Sequence, residues 1–196
     1  MRIVPVICAA GAGTRMGINK ALCRFPDGTT FLERILQTCI RCDLSKILVV
    51  IGAQAEEVRF QHAGFSVEWL ENSDWSNTHL MDSFRLGCGK LECEDYALQW
   101  PVDCPNVDEI SLNRLILQRK AYLAVLAYGE RTGHPLMWSP DALRDLRSHF
   151  GLWHSLRDFV KDHEARLQLV QAVSPSVLDN INAGNFLRYS RAVPDE

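Results

Sequence analysis

The chain has 196 residues, 47% of them hydrophobic and 23% charged, with a net charge of −3. That length gives one domain with a sizeable core, and the balance excludes a disordered chain and a general nucleic-acid binder, which would carry a basic stripe. No apolar run approaches the roughly 20 residues of a membrane-crossing helix.

In chain order, residues 3–8 (IVPVIC) form a short continuous apolar run, the pattern of a strand buried on both faces. This run continues into Arg15 and Lys20 rather than lengthening into a secretory signal. Residues 9–20 make a glycine-rich turn, and helical spacing over 30–41 opens with a capping box of Thr30 and Glu33. A strand is predicted at 46–52 (KILVVIG), a short helix at 54–61, a weaker strand at 65–70 and a helix at 80–91. A strand over 96–102 ends at Asp103-Cys104-Pro105, followed by a helix over 108–120 and a strand over 121–128. Helices are predicted at 140–149 and 152–163, a last strand at 167–172 and a last helix at 183–191.

Residues 1–191 are read as one domain and 192–196 as a frayed tail. Strand–helix alternation with short loops predicts a three-layer α/β/α domain around a mostly parallel sheet. Ligands of such folds bind at the carboxyl ends of the strands. That edge receives residues 9–20 and 52–54, Asn72 and Asp103. The seven cysteines are odd in number and sit mostly in apolar or helical contexts, which fits a reducing, cytoplasmic compartment. Cys39-x-x-Cys42 lies inside a predicted helix with no second pair, too few ligands for structural zinc.

The glycine-rich segment carries the strongest chemical signal. Ala10, Gly11, Ala12 and Gly13 let the backbone approach a ligand and present successive N–H groups to an anion. Arg15 adds a fork for phosphate oxygens and Lys20 a mobile point charge. A Walker loop is excluded, because no Gly-Lys-Ser/Thr follows at the required distance. A dinucleotide fingerprint on Gly11, Gly13 and Gly17 fails by one residue at its last interval.

The segment AAGAGTRMGINKAL resembles the signature of the MobA-like nucleotidyltransferases, α/β enzymes that include the molybdopterin cytidylyltransferases and guanylyltransferases. Its Ala-Ala-Gly form is closer to the cytidylyltransferase branch. Further blocks resemble the same family in order and spacing. They are Asn72-Ser73-Asp74-Trp75 with Ser83-Phe84-Arg85-Leu86-Gly87, Asp103-Cys104-Pro105, Gly133-His134-Pro135 and Asn180-Ile181-Asn182-Ala183.

The resemblance implies transfer of a nucleotidyl group, with CTP as the favoured donor, onto a phosphorylated small molecule, with Mg²⁺ as cofactor and pyrophosphate as the second product. It implies Arg15, Lys20 and Asp103 as catalytic residues: Arg15 on the β- and γ-phosphates, Lys20 on the α-phosphate and Asp103 on the metal. It further implies the backbone of Ala10 to Gly13 near the nucleotide, with Asn72 and Ser83 on the nucleoside and Asn182 as second metal ligand. Asn182 serves equally well as a helix cap, and Asn180 and Asp179 are alternatives. Gln54 is assigned either to the base or to the surface. His134, Trp153 and His154 are assigned to an acceptor pocket, although a Trp at helical spacing also suits a core. Relatives carry Asp-x-Gly-Ala-Arg where this chain has FGLWHSL over 150–156, which implies an acceptor other than molybdopterin. Arg157 is the nearby cation that compensates. Sugar-1-phosphate nucleotidyl transfer and a catalytically silent nucleotide binder remain as alternative functions.

Overall fold

A computed structural model describes residues 2–13, 19–149, 151–182 and 186. Its strands are β1 (Ile3–Ala9), β2 (Leu48–Ile51), β3 (Glu68–Glu71), β4 (Tyr96–Pro101), β5 (Leu123–Tyr128), β6 (Arg131–Trp138) and β7 (Leu167–Gln171). Its helices are α1 (Phe31–Arg41), α2 (Ala55–Gln61), α3 (Leu80–Cys88), α4 (Glu109–Ile116), α5 (Pro140–Ser148) and α6 (Leu156–Asp162). The strands form one sheet in the order β3-β2-β1-β4-β6-β5-β7. All neighbours pair in parallel except at β6, which is antiparallel to both β4 and β5.

The apolar run of β1 is explained by two cores. Ile7 and Ala9 face a cluster with Phe31, Leu32, Ile35, Val58 and Leu112, from α1, α2 and α4. Val4, Val6 and Cys8 face a cluster with Met81, Phe84, Leu143 and Phe159, from α3, α5 and α6. A strand covered on both sides has no polar alternation to show. Close helix-to-sheet contact depends on Gly87, where a Cβ would stand 2.3 Å from Cγ1 of Val6.

The strand order reverses beside β1. From β1 the chain winds outward to β2 and β3, then returns to place β4 on the other side of β1. This order reversal between β1 and β4 is where open α/β sheets place a ligand crevice, at the carboxyl ends of the strands.

The structure revises several boundaries. The capping box at Thr30 is present, with the Glu33 N–H donating to Thr30 Oγ1 at 2.9 Å. The predicted 152–163 helix begins only at Leu156, because Ser155 caps it and pairs reciprocally with Asp158. The predicted 108–120 helix ends at Ile116 and the predicted 80–91 helix at Cys88. Strand β6 was not foreseen. Its Pro135 has no N–H to give a central ladder, which argues against a strand in the sequence. The register between β5 and β6 shifts between Val125, paired with Leu136, and Ala127, paired with Thr132. Pro135 lies in that irregular stretch, where the ladder is already interrupted. Of the helix predicted at 183–191 only Phe186 is described, its N–H donating to the Asn182 carbonyl at 2.8 Å; the other residues lie outside the described ones.

Among the described residues, no helix is long and apolar enough to cross a membrane. All seven cysteines are free thiols.

Candidate active site

Both described ends of the glycine-rich segment are tied to one residue beyond β2. The Ala53 N–H donates to the Ala10 carbonyl at 3.1 Å. The Asn19 side chain donates to the Ala53 carbonyl at 2.7 Å, and its Oδ1 accepts from the Ala21 N–H. Asn19 is fully buried, so its amide fixes the start of the short helical turn Lys20–Leu22. Gly13 adopts a positive φ of 60°, the conformation that favours glycine. Gly52 allows the close approach, since a Cβ there would sit 2.7 Å from the Ala10 carbonyl oxygen and 2.5 Å from Cβ of Trp75.

Across the crevice, β4 delivers Asp103. The Val102 N–H bonds the Cys8 carbonyl, and the Asp103 carbonyl accepts from the Ile181 N–H at 2.8 Å. The second of these bonds brings the backbone that carries Asn180 and Asn182 against the turn of Asp103. Lys20 Nζ and Asp103 Oδ2 meet at 2.8 Å, with each side chain 22% exposed. A cation from the glycine-rich side and a carboxylate from the β4 side thus face each other at the strand-order reversal. Asp179 is engaged by Asn106, whose Nδ2 donates to it at 3.0 Å. Arg15 lies outside the described residues.

The residues can be tested against Mg²⁺ by their donor chemistry. Mg²⁺ is held by one or two carboxylates with substrate phosphates and waters, rather than by an all-protein cage. Among the described residues there is no group of three or more His, Cys, Asp or Glu arranged around a metal. One part-exposed carboxylate, Asp103, whose backbone is bonded to the segment that carries Asn180 and Asn182, fits a phosphate-assisted site.

Two cavities flank the crevice. The smaller, about 180 Å³, is lined by Ala10, Gly11, Trp75, Thr78, Leu80 and Ser83, among others. Asn72 stands beside it and donates to Thr78 Oγ1 at 2.8 Å and to Ser83 Oγ at 3.4 Å. The larger, about 380 Å³, lies among β4, β5, β6 and α6 and contains His134, Gln99, Thr132 and Arg157. Leu80, at the start of α3, is a wall common to both.

His134 Nδ1 is buried and has no partner among the described residues. Burial lowers the His134 pKa and keeps the ring neutral, with the nearby Asp103 charge pulling weakly the other way. Gln99 is 1% exposed and its Nε2 also lacks a partner. An unpaired buried amide costs about 1–3 kcal/mol. Sequence reasoning missed Gln99, although it is the one polar residue inside the apolar strand YALQWP.

The other assigned residues lie elsewhere. Trp153 is a core residue. Its ring packs on Phe159 and His163, and its indole N–H donates to Asp162 at 2.7 Å. His154 is exposed, and neither residue lines the larger cavity. The same segment reaches that cavity through Leu156 and Arg157 instead. Gln54 turns its amide onto Glu57 at 2.8 Å, on the exposed surface of α2. Burial and the adjacent Asp103 raise the Cys104 thiol pKa, so it is an unreactive thiol.

The chain is 27% identical over 144 residues to a nicotine blue oxidoreductase of Paenarthrobacter nicotinovorans, covering 69% of this chain and 70% of that protein. Three solved structures share the fold. A nucleotidyl transferase from Methanothermobacter thermautotroptrophicus superposes with a TM-score of 0.80 at 24% identity, covering 95% of each chain. A Mycobacterium tuberculosis protein in complex with manganese gives 0.74 at 20% identity, covering 98% of this chain and 99% of that one. The 2-C-methyl-D-erythritol 4-phosphate cytidylyltransferase of Francisella tularensis gives 0.70 at 15% identity, covering 96% of this chain and 98% of that one. The MobA-like NTP transferase domain matches residues 5–167. With that match over most of its length, the chain belongs to the MobA-like NTP transferase domain family.

Proposed function

We propose that the protein transfers a cytidylyl group from CTP to a phosphorylated small molecule and releases pyrophosphate. The observation that carries this reading is the Lys20–Asp103 pair, held across the crevice between a backbone-rich loop and the end of β4. Simple nucleotide binding has no need of a carboxylate beside the phosphates, whereas nucleotidyl transfer must bring two polyanions together. An oxygen of the acceptor phosphate attacks the α-phosphorus of CTP, and the bond from that phosphorus to the oxygen bridging to the β-phosphate breaks. No side-chain base is required, because the attacking phosphate is already ionised.

Lys20 is the donor on the α-phosphate, where charge grows in the transition state. Its present partner, Asp103, keeps the ammonium aimed into the crevice. Arg15 serves the terminal phosphates, as the family resemblance implies. The small cavity takes the nucleoside, with Ser83 and Asn72 as its polar contacts. Asp103 and Asn182 are the residues that would hold Mg²⁺, which when bound neutralises phosphate charge; the manganese in one structural relative supports a divalent ion. The cytidine preference rests on the Ala9-Ala10-Gly11 form of the loop and on the cytidylyltransferase among the structural relatives. The free thiols fit a reducing compartment such as the cytoplasm.

Calorimetric titration of CTP, UTP, GTP and ATP in the presence of Mg²⁺ tests the donor. CTP is expected to bind tightest. Tighter GTP binding overturns the base assignment, and absence of binding by all four overturns the function.

A further inference from the structure

The larger cavity contains features that the nucleotide does not use. Its volume of about 380 Å³ is that of a small-molecule site. Across the sheet, Val6, Gln99, Leu136 and Val125 lie in one row, because β1, β4, β6 and β5 pair in that register. Gln99 is therefore a lone amide in an apolar row, on the face packed by α3, α5 and α6. Among the described residues its Nε2 reaches no acceptor. His134, which lines the same cavity, also has a buried ring atom, Nδ1, without a partner among the described residues.

Buried polar groups in folded proteins are nearly always paired. Two orphans on one cavity wall point to a ligand that completes them. Most of the remaining lining is leucine and valine, with one cation, Arg157, and no carboxylate. Beside Gln99 and His134 the polar lining is only Thr132 and Arg157, too few partners for all the ring hydroxyls of a sugar, several of which would be buried unpaired. It suits an aliphatic body with a single hydrogen-bonding group and no positive charge.

Resting on the reading that this is the acceptor side of a nucleotidyltransferase, we propose that the acceptor is a phosphate monoester with an aliphatic body bearing a carbonyl, that Gln99 Nε2 donates to this carbonyl, and that Gln99 with His134 selects it over sugar phosphates. The phosphate is placed towards the crevice, where the proposed transfer needs it, and Leu80 is the wall common to this cavity and the smaller one. Gln99 is thus a specificity residue that touches the part of the acceptor that does not react.

The test uses the full chain and two probes at millimolar concentration: the phosphate ester of N-butyrylethanolamine, and glucose 1-phosphate. Nitrogen-15 spectra follow the Gln99 side-chain amide and the His134 ring. The amide-bearing ester is expected to shift both signals and glucose 1-phosphate neither. In Gln99→Leu the ester should bind about tenfold more weakly, with the melting temperature of the free protein unchanged or raised, because the orphan amide is gone. Absence of a shift with the ester overturns the proposal. So does a shift with glucose 1-phosphate alone, or a melting temperature that falls while ester binding is retained, which would make Gln99 a purely structural residue. Pyrophosphate release from CTP is measured in parallel. Ester binding without release sinks the nucleotidyl-transfer reading and leaves the cavity assignment standing; release onto glucose 1-phosphate does the reverse.

Discussion

The two sides of the crevice are built by different means. On the β1–β2 side the ligand surface is mostly backbone: Ala10 and Gly11 line the small cavity, and hydrogen bonds from Ala53 and Asn19 hold the loop. On the β4–β6 side it is mostly side chain, with Gln99, His134 and Arg157 set in an aliphatic wall. A backbone surface recognises what all nucleoside triphosphates share, namely phosphates and close planar contact. A side-chain surface can change residue by residue without disturbing the fold. The contrast assigns the common chemistry to the first side and the individual substrate to the second.

The comparison can be broken most sharply at its centre. Lys20→Ala is expected to lower turnover by about 3–4 kcal/mol of barrier, the usual loss when a transition-state donor is removed. CTP affinity should fall much less. Steady-state kinetics with a raised KM and unchanged kcat would move Lys20 from the transition state to ground-state binding. Gly52→Ala tests the backbone side. The new Cβ meets Trp75 and the Ala10 carbonyl, so stability should drop by about 1–3 kcal/mol and CTP binding should weaken with it. Urea unfolding at wild-type stability would show that the loop is not held by this contact.

The smallest effect is a pH dependence shared by both sides. His62 Nδ1 lies 2.7 Å from the Val58 carbonyl, and its Nε2 lies 2.6 Å from Thr30 Oγ1, so both ring nitrogens are held by buried partners. Burial lowers its pKa from the ordinary 6.5, and that of His134 likewise. The unfolded chain then binds more protons than the folded one, so stability is complete above about pH 6.5 and falls as pH drops towards the lowered folded values. His62→Asn should flatten part of this slope in urea midpoints measured across the range. An identical slope in the variant would remove His62 from the account.

Legibility in the sequence follows the same division. The parallel half showed itself because strands covered on both faces are unbroken apolar runs, as at 3–8 and 46–52. Asp103 stood out because it ends such a run. Strand β6 was hidden by Gly133 and Pro135, residues that usually punctuate strands. Gly133 is required by contact rather than by a turn, since a Cβ there would meet the Val177 carbonyl oxygen at 2.1 Å. Without β6 no spacing rule could bring Gln99 to His134, and Trp153 was assigned to the acceptor although it belongs to the core. Local motifs are readable from spacing, whereas a cavity wall made by an antiparallel insertion depends on pairing between distant segments.

Gly11 offers the most direct measurement of the central claim. It lines the small cavity, and among the described residues no atom lies within 4 Å of where its Cβ would stand. A side chain there meets none of the described residues beyond its chain neighbours and enters the cavity proposed for the nucleoside. Calorimetric titration of CTP with Mg²⁺ into the wild type and into Gly11→Val, alongside their melting temperatures, separates an effect on the ligand from one on the fold. The account predicts an unchanged melting temperature and CTP affinity reduced at least about tenfold; wild-type affinity in the variant would contradict it and place the nucleotide elsewhere.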